Sequence, residues 1–181
     1  MEIIQIYEQY LYSVKYDSCI DNEYDRLFND EWCDIASIVT FMHENKKYLG
    51  TGIWANVADP FSAAQKVARE RAALQYKFKE LLENTKKGIQ PDLDSHFHFL
   101  DGQYYGTFTL TPMKSYGTEN PSFLRIYAIK VDTNSYIITG GGIKLCKTIQ
   151  DSPGLKDHVI KNIDKVRNYL LQNGIETTED I

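Results

Sequence analysis

The stretch that decides the fold runs Phe123-Leu-Arg-Ile-Tyr-Ala-Ile-Lys-Val131, Asp132-Thr-Asn-Ser135, Tyr136-Ile-Ile-Thr-Gly-Gly-Gly-Ile-Lys-Leu145. Two runs rich in β-branched and aromatic residues flank four turn formers, which predicts an antiparallel hairpin. The glycines Gly140, Gly141 and Gly142 lie inside the second run, where a bulge that bends the strand over a core is the expected reason for them. A nest of backbone amides open to an anion is the alternative, because glycine removes the Cβ barrier. The lysine-serine ending and the following helix of a P-loop are missing.

Downstream, Ser152-Pro153 predicts a capped helix start, Leu155, Val159, Ile163, Val166 and Leu170 form one apolar stripe, and Asn173-Gly174 predicts the stop. Upstream, short strands are expected around Phe97–Leu100 and Tyr104–Leu110, with Asp101-Gly102 turning between them. Asp59-Pro60 announces a helix whose apolar face includes Phe61, Val67, Leu74 and Phe78 and which Gly88 ends. Between Asn22 and Asn45, Tyr24, Leu27, Phe28, Trp32, Ile35, Ile38, Val39 and Met42 recur at helical spacing, with Asp21 or Asn22 to cap the first turn. Ile4, Ile6, Tyr10, Tyr12, Val14 and Tyr16 share one parity, which predicts a long strand broken near Glu8.

The order is therefore strand-helix-helix-strand-strand-strand-helix. It predicts an α+β fold with a small, mainly antiparallel sheet and helices packed on it. The chain of 181 residues is expected to form one domain, with an acidic helical part over 18–90 and the sheet and C-terminal helix over 95–174.

Composition narrows the classes. With 43% hydrophobic and 25% charged residues the chain can bury a core. Its start lacks a basic leader and no run approaches a membrane span, so a cytoplasmic protein with no membrane partner is expected. Cys19, Cys33 and Cys146 are odd in number and widely spaced, which suits neither a disulfide framework nor a thiolate metal site. Net charge is −5, yet residues 1–60 hold 4 basic and 11 acidic side chains whereas residues 111–170 hold 9 basic and 5 acidic. A local anion site is compatible with that acidic total.

Several residues carry candidate chemistry. Arg125 and Tyr127 share parity and should project to one face. Lys114 and Tyr116 sit just before the arginine strand and are acid–base candidates. His158, on the last helix one position before the apolar Val159, could reach the sheet face or lie at its edge. His96 and His98 would put two imidazoles on one strand face, near Asp94 or Asp101, the arrangement a metal-dependent hydrolase requires, although no further clustered His or Cys completes a ligand set.

The element order, with Leu124-Arg-Ile-Tyr127, a short turn and Tyr136-Ile-Ile-Thr-Gly-Gly-Gly-Ile-Lys-Leu-Cys-Lys-Thr148, resembles the RelE/HigB-like toxins of bacterial toxin–antitoxin pairs, in pattern over roughly 97–170 and elsewhere in topology. The chain would be a divergent member of that RelE/ParE-type fold with an enlarged N-terminal helical pair. The resemblance implies a metal-independent mRNA endonuclease that uses no cofactor. Arg125, Lys144 and Lys147 would bind RNA phosphates, with Lys114, Tyr116, Tyr127 or His158 assisting proton transfer. It also implies RNA or the ribosome as one partner and an antitoxin protein as another. Chemically, scission at a 2′-hydroxyl develops negative charge on phosphorus oxygens that fixed cations stabilise. A non-catalytic protein-interaction domain on the same scaffold is the alternative expectation; the acidic total favours it.

Overall fold

A computed structural model of the protein describes residues 1–100 and 110–181. The predicted hairpin is its centre: β5 spans Leu124–Asp132 and β6 spans Ser135–Ile143. They pair antiparallel from Leu124↔Ile143 to Asp132↔Ser135, and Asn134 takes φ +57° in the tight connection. Asn and Gly are the residues that tolerate this left-handed backbone. The glycine run carries the expected bulge: Tyr127 pairs with Gly140 and Ala128 with Ile138, so Thr139 is the extra residue.

Flanking β5 is β4 (Thr111–Tyr116), and beyond it β3 (His98–Phe99), both antiparallel to their neighbours. The other side departs from the sequence reading. The parity run at the N-terminus is two strands, β1 (Glu2–Tyr7) and β2 (Leu11–Lys15), folded back on each other. Gln9, at φ +59°, makes the reversal. A run of one parity marks a face but cannot say whether the chain continues or returns, so a hairpin was read as a single interrupted strand.

β2 then pairs parallel with β6, from Leu11↔Tyr136 to Ser13↔Ile138. The fold is α+β, but its sheet is six-stranded and mixed, in the order β1-β2-β6-β5-β4-β3, instead of small and mainly antiparallel. The expected element order fails for the same reason: two strands precede the helices. The expected strand over Tyr104–Leu110 and the Asp101-Gly102 turn fall on residues 101–109, outside the described residues apart from Leu110.

Helices cover both sheet faces. On one side lie α1 (Glu23–Asp25), which runs on as a π-helical turn over Arg26–Glu31, then α2 (Ile35–Glu44) and α3 (Pro60–Lys87). The first predicted helix is thus split. Asn22 caps its start through Asp25 N–H, and Asp34 caps a fresh start by accepting from Ser37 N–H at 3.1 Å. The split lets Phe28 and Trp32 both be fully buried, with their rings edge to face at 5.2 Å. α3 agrees with its signals: Asp59 accepts from Ser62 N–H and Gly88 takes φ +66° at the stop.

The opposite face carries α4 (Val159–Gln172). The whole stripe Leu155, Val159, Ile163, Val166 and Leu170 is at most 2% exposed, and each such side chain contributes roughly 1.5–3 kcal/mol. The start differs from the expectation, because Ser152 does not cap α4. Its buried hydroxyl instead accepts from Leu145 N–H at 2.9 Å and ties the end of the sheet to a run of turns over 152–158. Glycine is needed in that run: a Cβ on Gly154 would lie 2.8 Å from the Ile143 carbonyl oxygen. No helix among the described residues is long and apolar enough to cross a membrane.

Candidate functional site

Strand register brings the site together. His98 lies opposite Lys114, Lys114 opposite Tyr127, Tyr116 opposite Arg125, and Arg125 opposite Gly142. Partners across a ladder share a face, so four strands contribute to one surface. Lys144 extends it past the end of β6, where its N–H donates to the Phe123 carbonyl at 2.7 Å.

At the centre is Arg125. Its guanidinium lies 4.5 Å from the Tyr116 ring centroid, and Nη1 donates to the carbonyls of Ser122 at 3.0 Å and Leu124 at 2.6 Å. Nε is buried with no hydrogen-bond partner. Lys114 Nζ donates to the Leu100 carbonyl at 2.6 Å. None of Arg125, Lys114 or Lys144 forms an ion pair with a carboxylate among the described residues. Burial lowers the pKa of Lys144, and the charges of Arg125 and Lys114 lower it further. Burial likewise lowers that of Arg125. Lys144 is close enough to Arg125 and Lys114 to feel both charges. Although the buried Glu70 carboxylate lies near enough to favour the charged Arg125, it is not ion-paired to any of the three, so an anion would relieve this surface.

The rigid floor beneath comes from α3. Glu70 is fully buried, takes an ion pair from Lys66 at 3.0 Å, accepts from the Ser122 hydroxyl and receives Phe123 N–H at 3.4 Å. Lys66 also pairs with Glu119, and Arg69 Nε reaches Glu119 at 3.0 Å. Burial raises the Glu119 pKa, but hydrogen bonds from Lys66 and Arg69 outweigh it and hold the carboxyl below its usual range. This network fixes the loop after β4, whose Ser122 carbonyl in turn holds Arg125. A charged residue between Val67 and Leu74 on an apolar helix face was the signal for Glu70, and the sequence reading passed over it.

The other sequence candidates divide. Tyr127 is only 1% exposed and packs with Leu155, Val159 and Ile163, so its ring is a core element, and burial raises its hydroxyl pKa above 10. Lys147 stands exposed in the loop after β6, past the last paired residue of that strand, Ile143. His158 lines a different cleft of about 360 Å³, beside Glu23, Arg26 and Lys165. His98, read only as a metal ligand, is the histidine on the cationic face, with its ring 5.5 Å from that of Tyr116. The glycine run offers no anion nest: a Cβ on Gly142 would come within 2.9 Å of the Gly154 carbonyl oxygen, so its surface is covered.

His96 and His98 do not share a strand. His96 ends the single turn Leu93–Ser95, edge-on to Phe78 at 5.3 Å, with Nε2 buried and unpartnered. Asp94 is engaged by Tyr136 Oη at 2.6 Å, Asn134 N–H at 2.9 Å and Lys130 Nζ at 2.7 Å. Asp101 lies outside the described residues. Among the described residues no group of three or more His, Cys, Asp or Glu is arranged to hold a metal ion.

Burial, then the nearby His98 and Lys77, pushes the His96 pKa from 6.5 down to about 4. Above pH 6.5 the ring is neutral in both folded and unfolded chains. As pH falls, the unfolded chain takes up a proton that the native site resists, so stability is lost from about pH 6.5 to about pH 4, by roughly 2–3 kcal/mol. Urea unfolding at pH 7 and pH 5 should show that His96→Phe loses less stability over this window than the wild type. Parallel losses in the two proteins would assign the effect to other groups.

No protein-family profile, curated protein or solved structure matches the chain.

Proposed function

We propose that the face formed by Arg125, Lys144 and Lys114 binds the phosphates of single-stranded RNA, and that the protein is an endoribonuclease of the RelE/HigB-like toxin type. The observation that supports this most is the gathering of three cations from β4, β5 and the end of β6 with no paired carboxylate among the described residues. Phosphate neutralisation by fixed cations dominates nucleic-acid affinity. Aromatic rings beside it suit unstacked bases.

In the reaction the RNA 2′-oxygen attacks the adjacent phosphorus and the 5′-oxygen leaves, giving a 2′,3′-cyclic phosphate and a 5′-hydroxyl. Arg125 and Lys144 offset the charge gathering on the phosphoryl oxygens, as preorganised donors do in other transfers. His98 takes the 2′-hydroxyl proton and the Tyr116 hydroxyl returns one to the 5′-oxygen, both from the same strand surface. An antitoxin protein covering this face is the partner expected with such an activity.

Growth after controlled induction tests the reading. The wild type is expected to arrest growth, Arg125→Ala and Lys144→Ala to permit it at equal soluble levels, and Lys147→Ala to arrest like the wild type because Lys147 is an exposed loop residue past the end of β6. Unimpaired growth with every variant and with the wild type would favour a protein-binding role for the scaffold.

A further inference from the structure

Beside Arg125, on the side of the loop after β4, is a cavity of about 370 Å³ lined by Tyr116, Glu119, Asn120, Pro121, Ser122 and Arg125. Its size falls within the roughly 300–1,000 Å³ of small-molecule pockets. The walls combine the Tyr116 ring and the apolar Pro121 with the polar side chains of Glu119, Asn120, Ser122 and Arg125, and Arg125 belongs both to this pocket and to the cationic face. A base whose phosphate rests on that face would have this pocket within reach.

We propose that this pocket reads one base of the RNA and selects guanine, an inference that rests on the RNA-binding reading above. Glu119 provides the discrimination. Its two oxygens each accept from α3, one from Lys66 and the other from Arg69, and each oxygen of a carboxylate has a second lone pair. The Watson–Crick edge of guanine presents two parallel donors, N1–H and the N2 amino group, which match a carboxylate. The Asn120 amide, exposed at the rim, donates to guanine O6. Adenine sets an acceptor, N1, against the carboxylate, and uracil and cytosine lack the paired donors. Such edge contacts to splayed bases are how single-stranded RNA is read in sequence. Glu70 and Lys66 hold the loop in place, so the reading groups are set before RNA arrives.

Binding of uncleavable 2′-fluoro octanucleotides, seven uridines with G, A, C or U at one internal position, is measured by fluorescence anisotropy on the full chain. The G oligonucleotide is expected to bind about tenfold tighter than the A oligonucleotide, the scale of one good bidentate contact. Glu119→Gln and Asn120→Ala should each lower the ratio of G to all-uridine affinity, whatever they do to the all-uridine affinity itself, whereas Lys144→Ala should weaken all four alike and keep the ratio. Equal binding of the four by the wild type, preference for another base, or a guanine preference that survives Glu119→Gln would overturn the assignment while leaving the RNA face intact. Binding of none of them would remove the RNA reading, and this inference with it.

Discussion

Arg125→Ala is expected to lower RNA affinity by roughly 10- to 100-fold and cleavage by a further 100- to 1,000-fold, while the protein stays folded. The first figure follows from losing charge-assisted hydrogen bonds worth about 1.5–3 kcal/mol. The second follows from removing one preorganised donor to a charge that develops only in the transition state. Folding should change little, because Arg125 contributes its Nη1 bonds to the Ser122 and Leu124 carbonyls and its contact with the Tyr116 ring, and its Nε has no partner to lose. Arg125→Lys should recover part of the affinity and little of the rate, since an ammonium keeps the charge but not the planar fork. Anisotropy for affinity, single-turnover cleavage for rate and a thermal melt for folding separate the three effects. Equal cleavage by wild type and Arg125→Ala would remove Arg125 from the chemistry.

Glu70→Ala is expected to have the largest effect on stability, about 3–5 kcal/mol, the range for removing one partner of a buried ion pair. Three groups lose their acceptor together: the Lys66 ammonium, the Ser122 hydroxyl and the Phe123 N–H. For a chain of this size such a loss lowers the melting temperature by roughly 10 °C. Glu70→Gln keeps the shape and one of the two acceptor oxygens but loses the charge that pairs with Lys66, so it should fall between alanine and the wild type. The surviving folded protein should also bind RNA more weakly, because the loop whose Ser122 carbonyl holds Arg125 is no longer anchored to α3. A Glu70→Ala protein as stable as the wild type would show that the network contributes no net stability.

Elements defined by local chemistry were readable in the sequence. Asp59-Pro60 and Gly88 bound α3 as predicted, and turn residues with β-rich flanks identified β5 and β6. What failed depends on distant partners. Nothing between Glu2 and Tyr16 says that β2 will lie parallel to β6, a pairing that joins Leu11 to Tyr136 across most of the chain. Ser152 looks like a cap in isolation, but its hydroxyl is taken by Leu145.

The site was partly legible for the same reasons. Parity put Arg125 and Tyr127 on one face, and they do share it, but α4 buries Tyr127 while Arg125 lies beyond the helix stripe. Lys144 and Lys147 looked equivalent by spacing from the glycines. β6 ends at Ile143, ahead of both, and Lys144 is still tied to the adjoining segment through its N–H to the Phe123 carbonyl, whereas Lys147 stands exposed in the loop. His98 joined the cationic face through its register with Lys114, which no local pattern encodes.

Incubation of purified protein with an end-labelled RNA in the presence of EDTA, beside the same strand carrying 2′-deoxy sugars, tests the central claim most directly. The account predicts cleavage of the RNA to 2′,3′-cyclic phosphate and 5′-hydroxyl ends and an intact deoxy strand. No cleavage of the RNA, or equal cleavage of both strands, would contradict it.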